Sequence, residues 1–243
     1  MKKFKNALRA CMASLLAVII MAGTAMATEN VIGYKWNGSI DDWKITETCS
    51  SGSDTTNDWE FKAENGVLKA GNTSWKHVTS AESVNSYDLS ENVMTFHLNS
   101  NLREATKNYQ NSVFFCVKRR NAGEAFDHWA SRYYKLTLGH DNTNRVLTLS
   151  AHDNNNTTPT LASYKFTDSK WTNVAFEYDM EIKVKKETGK NIITVSTVAE
   201  DGTKTVLINA EHTTPIAVNG PVVFYAQGNV GMEISNVAVT DLL

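Results

Sequence analysis

Residues 174–184 read VAFEYDMEIKV, and their rhythm decides the fold. Val174, Phe176, Tyr178, Met180, Ile182 and Val184 recur at every second position, with Glu177, Asp179, Glu181 and Lys183 between them. A period of two sends successive side chains to opposite faces of an extended chain. This segment therefore reads as a strand with one face buried and the other in water. The same alternation runs through 93–98, where Met94, Phe96 and Leu98 oppose Val93, Thr95 and His97. Val113-Phe114-Phe115-Cys116-Val117 is apolar at every position, which suits a central strand covered on both faces. Further extended runs lie at 133–138, 146–151, 162–166, 192–199, 203–208, 222–226 and 232–239. Asn65-Gly66 and Asp201-Gly202 sit between such runs as hairpin turns, because a two-residue turn of the primed type needs positive φ. Thr188-Gly189 turns the chain after Glu187. The one helix candidate is 122–131, where Ala122, Phe126, Trp129 and Ala130 share a stripe. About a dozen strands without a repeat predict an all-β, two-sheet antiparallel β-sandwich of the jelly-roll kind, as a single domain over 28–243.

The N-terminus reads differently. Lys2, Lys3, Lys5 and Arg9 precede an apolar run from Ala10 to Ala22, which ends in Gly23-Thr24-Ala25-Met26-Ala27. A basic start, an apolar middle and a small-x-small end are the parts of a secretory signal peptide, cleaved near Ala27. The run is shorter than the roughly 20 residues of a membrane span. Cys11 stands at the start of that run, whereas a lipidated cysteine belongs at its end. The expectation is a secreted, extracytoplasmic protein with no membrane span after processing. The processed chain carries 20 Lys and Arg against 26 Asp and Glu, a net charge of −6. An acidic chain without basic clusters is a poor partner for nucleic acid, whose phosphates need concentrated Lys and Arg. Cys49 and Cys116 survive processing and leave two readings: a disulfide, or a free thiol in the apolar 113–117 strand.

Several stretches together resemble the concanavalin-A-like lectin/glucanase superfamily, of the laminin-G-like or sugar-hydrolase-associated kind. They are Trp36-Asn37-Gly38 with Asp42-Trp43-Lys44, the Trp59 strand with Gly66-Val67-Leu68, and Ser112-Val113-Phe114-Phe115. Tyr133-Tyr134-Lys135-Leu136, Trp171, Gly220-Pro221-Val222-Val223-Phe224-Tyr225 and Ile234-Ser235-Asn236-Val237-Ala238-Val239 follow in the expected order. The resemblance implies a jelly roll and a glycan-facing role. It does not choose between lectin, binding module and glycosidase, because these share the fold.

Three sets of residues carry candidate chemistry. Glu177-Tyr178-Asp179-Met180-Glu181 is similar to the catalytic strand of family 16 glycoside hydrolases, which would make Glu177 the nucleophile and Glu181 the acid/base, with Asp179 between. Period two does put the three carboxylates on one face, and a retaining mechanism needs two of them about 5–5.5 Å apart. The plainer reading is a solvent face of alternating charge that continues through Lys183 and Lys185. Trp75 and Trp129 lie in polar stretches and are the candidate sugar-stacking platforms. Arg119, Arg120, His128, Arg132 and Tyr133 flank Trp129 and offer hydrogen bonds, or charge for an acidic sugar. Against this, Trp129 serves equally to pin its own loop, and Trp36, Trp43, Trp59 and Trp171 read as packing residues. His140-Asp141 and His152-Asp153 echo one another, but if their strands form a hairpin they fall about 20 Å apart and cannot share an ion. The sequence requires no cofactor, although a structural calcium near Asp241 is common in the resembled fold and no twelve-residue calcium loop is present. Motifs for zinc, serine-hydrolase and nucleotide chemistry are missing. The sequence therefore supports a secreted carbohydrate-binding β-sandwich first, with polysaccharide or glycoconjugate as partner. A family 16-like hydrolase and a non-catalytic envelope or protein-interaction domain stand as alternatives.

Overall fold

The structure is a computed structural model. It describes residues 34–49, 60–70, 77–102, 110–119, 126, 131–141, 144–153, 157–170, 176–227 and 230–242. The signal segment, Trp59, Trp75, His128, Trp129, Trp171 and the helix candidate before Ser131 (Phe126 apart) lie outside those residues. In chain order the strands are β1 (Tyr34–Lys35), β2 (Trp43–Cys49), β3 (Phe61–Glu64), β4 (Val67–Ala70), β5 (His77–Ser83), β6 (Tyr87–Asp88), β7 (Asn92–Leu102) and β8 (Gln110–Arg119). Then come β9 (Ser131–His140), β10 (Asn144–His152), β11 (Thr160–Lys170), β12 (Phe176–Glu187), β13 (Lys190–Val198), β14 (Lys204–His212), β15 (Asn219–Gly220), β16 (Val223–Gln227) and β17 (Val230–Asp241). A 3-10 turn at Ile40–Asp42, capped by the Ser39 hydroxyl, is the one helical segment among the described residues. No helix among them is long and apolar enough to cross a membrane.

The strands form two large antiparallel sheets, as the alternation predicts. One is eight-stranded, in the order β14-β13-β12-β7-β17-β4-β3 with β1 alongside β17. The other is seven-stranded, in the order β11-β10-β9-β8-β16-β5-β2. Their inward faces share one core, in which Met94, Phe96, Met180, Ile182 and Ile234 meet Phe115, Leu136, Leu149 and Phe224. Aromatic contacts span it: the Phe96 and Phe224 rings lie 5.7 Å apart, and Phe166 and Phe176 lie 5.1 Å apart. Trp36 and Trp43 are buried in it, as packing residues should be. Side-chain burial of this kind, rather than any staple, is the main stabilising term in a domain of this size.

The turns follow their residues. Asn65 and Gly66 both take positive φ, 51° and 77°, as a primed hairpin turn requires. The β13–β14 connection differs from the two-residue turn expected there. Ala199 N–H donates to Thr203 O and Gly202 N–H to Ala199 O, both at 2.8 Å, and only Gly202 is left-handed. The Asp201 carboxylate accepts from Thr203 N–H, and this side-chain turn fixes the longer loop.

Strand β8 carries an irregularity that matters later. Its register against β9 shifts between Phe115 and Lys118, and Cys116 takes a φ of 54°. A bulge places two consecutive residues on the same side of the sheet. Phe115 and Cys116 accordingly both enter the core, while Val117 turns outward.

Candidate functional site

The eight-stranded sheet presents Glu177, Asp179 and Glu181 on its outward face, so the predicted juxtaposition on one face is real. Their partners decide what the face is. The His97 ring lies between Asp179 (Nδ1 to Oδ1, 2.9 Å) and Glu177 (Nε2 to Oε1, 3.5 Å). Glu181 is buried, and its two oxygens are taken by Lys183 at 3.3 Å and Lys204 at 2.6 Å. Lys69–Glu233 and Lys190–Glu211 extend the pattern across neighbouring strands. Each carboxylate thus faces a basic side chain, with His97 shared by Glu177 and Asp179.

The outward face of the seven-stranded sheet is different. It holds a second apolar cluster, separate from the core, made by Phe114 and Val117 of β8, Tyr133 of β9, and Val223 and Tyr225 of β16. Phe126 packs on it, its ring 4.9 Å from Phe114. Tyr133 lies 4.8 Å from Phe114 on one side and stacks on His152 of β10 at 5.2 Å on the other. The His152 ring donates from Nδ1 to Ser131 O. Lys135 sits with its ammonium 5.3 Å from the Phe114 ring centre, a cation–π contact, and burial lowers its pKa to about 8. Glu82, 4 % exposed, is ion-paired to Arg119 at the edge of the same cluster, and burial pulls the Arg119 guanidinium below its ordinary value.

Beside this cluster runs a row of hydroxyl groups. Thr46, Ser80, Tyr225, Ser112, Thr137, Thr148 and Ser163 are each the direct register partner of the next, one from every strand of the sheet. Ser112 Oγ lies 3.1 Å from Thr137 Oγ1, and Ser163 Oγ donates to Thr148 Oγ1 at 3.3 Å. Ser80, Ser112 and Tyr225 are buried, whereas Thr137 and Thr148 are half-buried and Ser163 is exposed. The open part of the row is therefore the β9–β11 end. Gly139, two residues beyond Thr137 on the same face, has nothing within 4 Å of where a Cβ would stand.

Of the predicted sugar-binding residues, the structure brings Tyr133 and Arg119 onto this face. Tyr133 is only 4 % exposed, so its ring is part of the wall that supports the row. Arg132 is exposed, and alternation places it on the other side of β9. Trp75, His128 and Trp129 lie outside the described residues. Sequence reasoning weighed His152 only as a metal ligand and assigned no site role to Phe114, Lys135, Tyr225 or the hydroxyl row. A signal for the cluster existed in Val113–Val117 and Val222–Ala226, which are apolar at both parities and so must be covered on both faces. Cys116 is a free buried thiol that donates to Val218 O at 3.2 Å, and burial drives its pKa far upward. Three interstrand steps separate β2 from β8, about 14 Å, against roughly 4.4–6.8 Å between bonded cysteines, so the free-thiol reading of Cys116 holds.

His140 and His152 stand at opposite ends of the β9–β10 hairpin, opposite Arg145 and Tyr133 respectively, as expected. Among the described residues no group of three or more His, Cys, Asp or Glu side chains is placed to hold a metal ion. Asp241 is exposed opposite Asn92 at the end of β17 and belongs to no such group.

No family model matches the sequence, and no curated protein does. Solved structures do match in shape. A protein of unknown function with a galectin-like fold from Bacillus subtilis aligns with a TM-score of 0.57 at 9 % identity, over 88 % of this chain and 97 % of that one. The exoplasmic/lumenal domain of VIP36, solved with Ca2+ and Man3GlcNAc, aligns at 0.56 and 10 % identity over 87 % and 88 %. The potassium-bound carbohydrate recognition domain of Emp46p aligns at 0.56 and 11 % identity over 84 % and 90 %. These likenesses concern the fold alone, a two-sheet antiparallel β-sandwich like that of the galectin-like Bacillus subtilis protein.

Proposed function

We propose that this is an exported, lectin-like glycan-binding protein that takes a polysaccharide or glycoconjugate on the outward face of its seven-stranded sheet. The observation that carries this is the partly open row of hydroxyls lying against a buried aromatic wall. Each hydroxyl both donates and accepts a hydrogen bond, which matches the hydroxyl pattern of a sugar. Hydrogen bonds between neighbouring strands, Ser112 with Thr137 and Ser163 with Thr148, fix the row, and a ligand meeting fixed groups loses less entropy. The VIP36 and Emp46p domains, described respectively as Man3GlcNAc-bound and as a carbohydrate recognition domain, lend the same reading support by fold. Export rests on the signal-like N-terminus. The charge-paired face around Glu181 favours binding over cleavage.

A glycan array followed by calorimetry on the hits tests this. Thr137→Val and Thr148→Val each remove one hydroxyl at nearly constant volume, and each should weaken binding about fivefold, the value of a net hydrogen bond near 1 kcal/mol. Glu177→Gln should leave binding unchanged. Undiminished binding by the double Thr variant, or no glycan bound by the wild type, overturns the assignment. A protein captured in place of any glycan would favour the interaction-domain alternative.

A further inference from the structure

We infer that the ligand is a straight, equatorially linked polysaccharide chain lying across the strands, with successive sugars over β9, β10 and β11. This rests on the glycan-binding reading above and adds the shape and direction of the ligand. Thr137, Thr148 and Ser163 are register partners, so their line runs perpendicular to the strands. Adjacent strands repeat about every 4.8 Å, close to the advance of one pyranose residue in an extended, equatorially linked chain. A chain laid along this line keeps its phase with the hydroxyls, whereas a chain laid along a strand meets like-facing residues only every second position. The rows on either side do not share this uniformity: Lys135 and Ser150 flank the line on one side, Gly139 and Val146 on the other. Helically coiled chains, such as axially linked glucans, curve away from a straight row after one or two sugars.

The hydrogen bonds along the row sharpen the argument. Ser163 donates to Thr148, which leaves the Thr148 hydroxyl proton free to be offered to a ligand. The bare backbone at Gly139 opens the row on one flank without obstruction.

Calorimetry on the full chain tests this with matched oligosaccharides of one to six residues: β-1,4-linked glucose, mannose and xylose series, against α-1,4-linked glucose. Affinity for at least one β-linked series should rise several-fold per sugar up to three or four sugars and then level off. The α-linked series should gain nothing beyond the second sugar. Gly139→Trp, which places a side chain in open space, should cut tetrasaccharide affinity at least tenfold while the circular dichroism spectrum and Tm stay those of the wild type. If a monosaccharide binds as tightly as its tetrasaccharide, or the α-linked series extends equally well, the linear-chain inference is wrong and glycan binding stands. If the array and every series are silent for the wild type, the glycan-binding reading itself fails.

Discussion

At Cys116 the backbone enters the left-handed region, which a non-glycine residue occupies at a cost of roughly 1–2 kcal/mol. The surroundings hold it there. The thiol bonds to Val218 O, and Gly220 passes so close to Val117 that a Cβ at Gly220 would stand 2.3 Å from the Val117 carbonyl oxygen. Because Cys116 is a free thiol, a reductant should leave Tm unchanged in a thermal melt. A drop of several degrees would reveal a disulfide, since losing one costs about 2–5 kcal/mol. The neighbouring Arg119 shows why single residues were hard to judge from sequence. Its place beside Glu82 depends on the bulge, and no local pattern announces a bulge at a cysteine inside an apolar run.

Among the elements, β12 was the most legible and its chemistry the least. Alternation placed Glu177, Asp179 and Glu181 on one face correctly, but it could not say that β13 and β14 bring Lys204 to Glu181. Such partners come from register between distant segments. Glu181→Gln, which leaves two ammonium groups around a buried amide, should lower stability by about 1–2 kcal/mol in urea titration. Should the wild type release reducing ends from a β-glucan, and this change abolish it, the face is catalytic after all.

Strands β9, β13 and β14 are tied by a buried polar network. Asn191 Nδ2 donates to the Tyr134 hydroxyl at 2.8 Å and to Ile216 O at 2.9 Å. His212 Nδ1 lies 3.1 Å from that hydroxyl, and Nε2 lies 2.9 Å from Thr214 Oγ1. Burial lowers the His212 pKa, and Asp153 opposes that shift without cancelling it. The unfolded chain therefore binds this proton first as pH falls below about 6.5, and stability declines from there down to the folded pKa. The slope is at most about 1.4 kcal/mol per pH unit, read as a fall in Tm that His212→Gln removes.

For the whole molecule, what the sequence made legible was the period-two burial of one face after another. It carried the two-sheet architecture, the single core and the Asn65-Gly66 turn. Strand order was not legible. That β7 lies between β12 and β17, and β16 between β8 and β5, reflects pairings across scores of residues that no local pattern encodes. The hydroxyl row was hidden for the same reason. Thr and Ser on the outer face of a strand are ordinary when met one strand at a time, and they become a line only once six registers are known. The outer aromatic cluster stood halfway: its doubly apolar strands were visible, its Tyr133–His152 stacking was not.

The extra residue in β8 acts as a phase shifter between inside and outside. Before it, odd-numbered side chains face the core; after it, they face outward. Deleting Cys116 would remove the extra residue and restore uniform alternation, with Val117 and Arg119 still facing outward and Arg119 still beside Glu82. A chain so shortened should still accumulate as a soluble product, with a Tm lowered by the loss of the buried thiol and its bond to Val218 O.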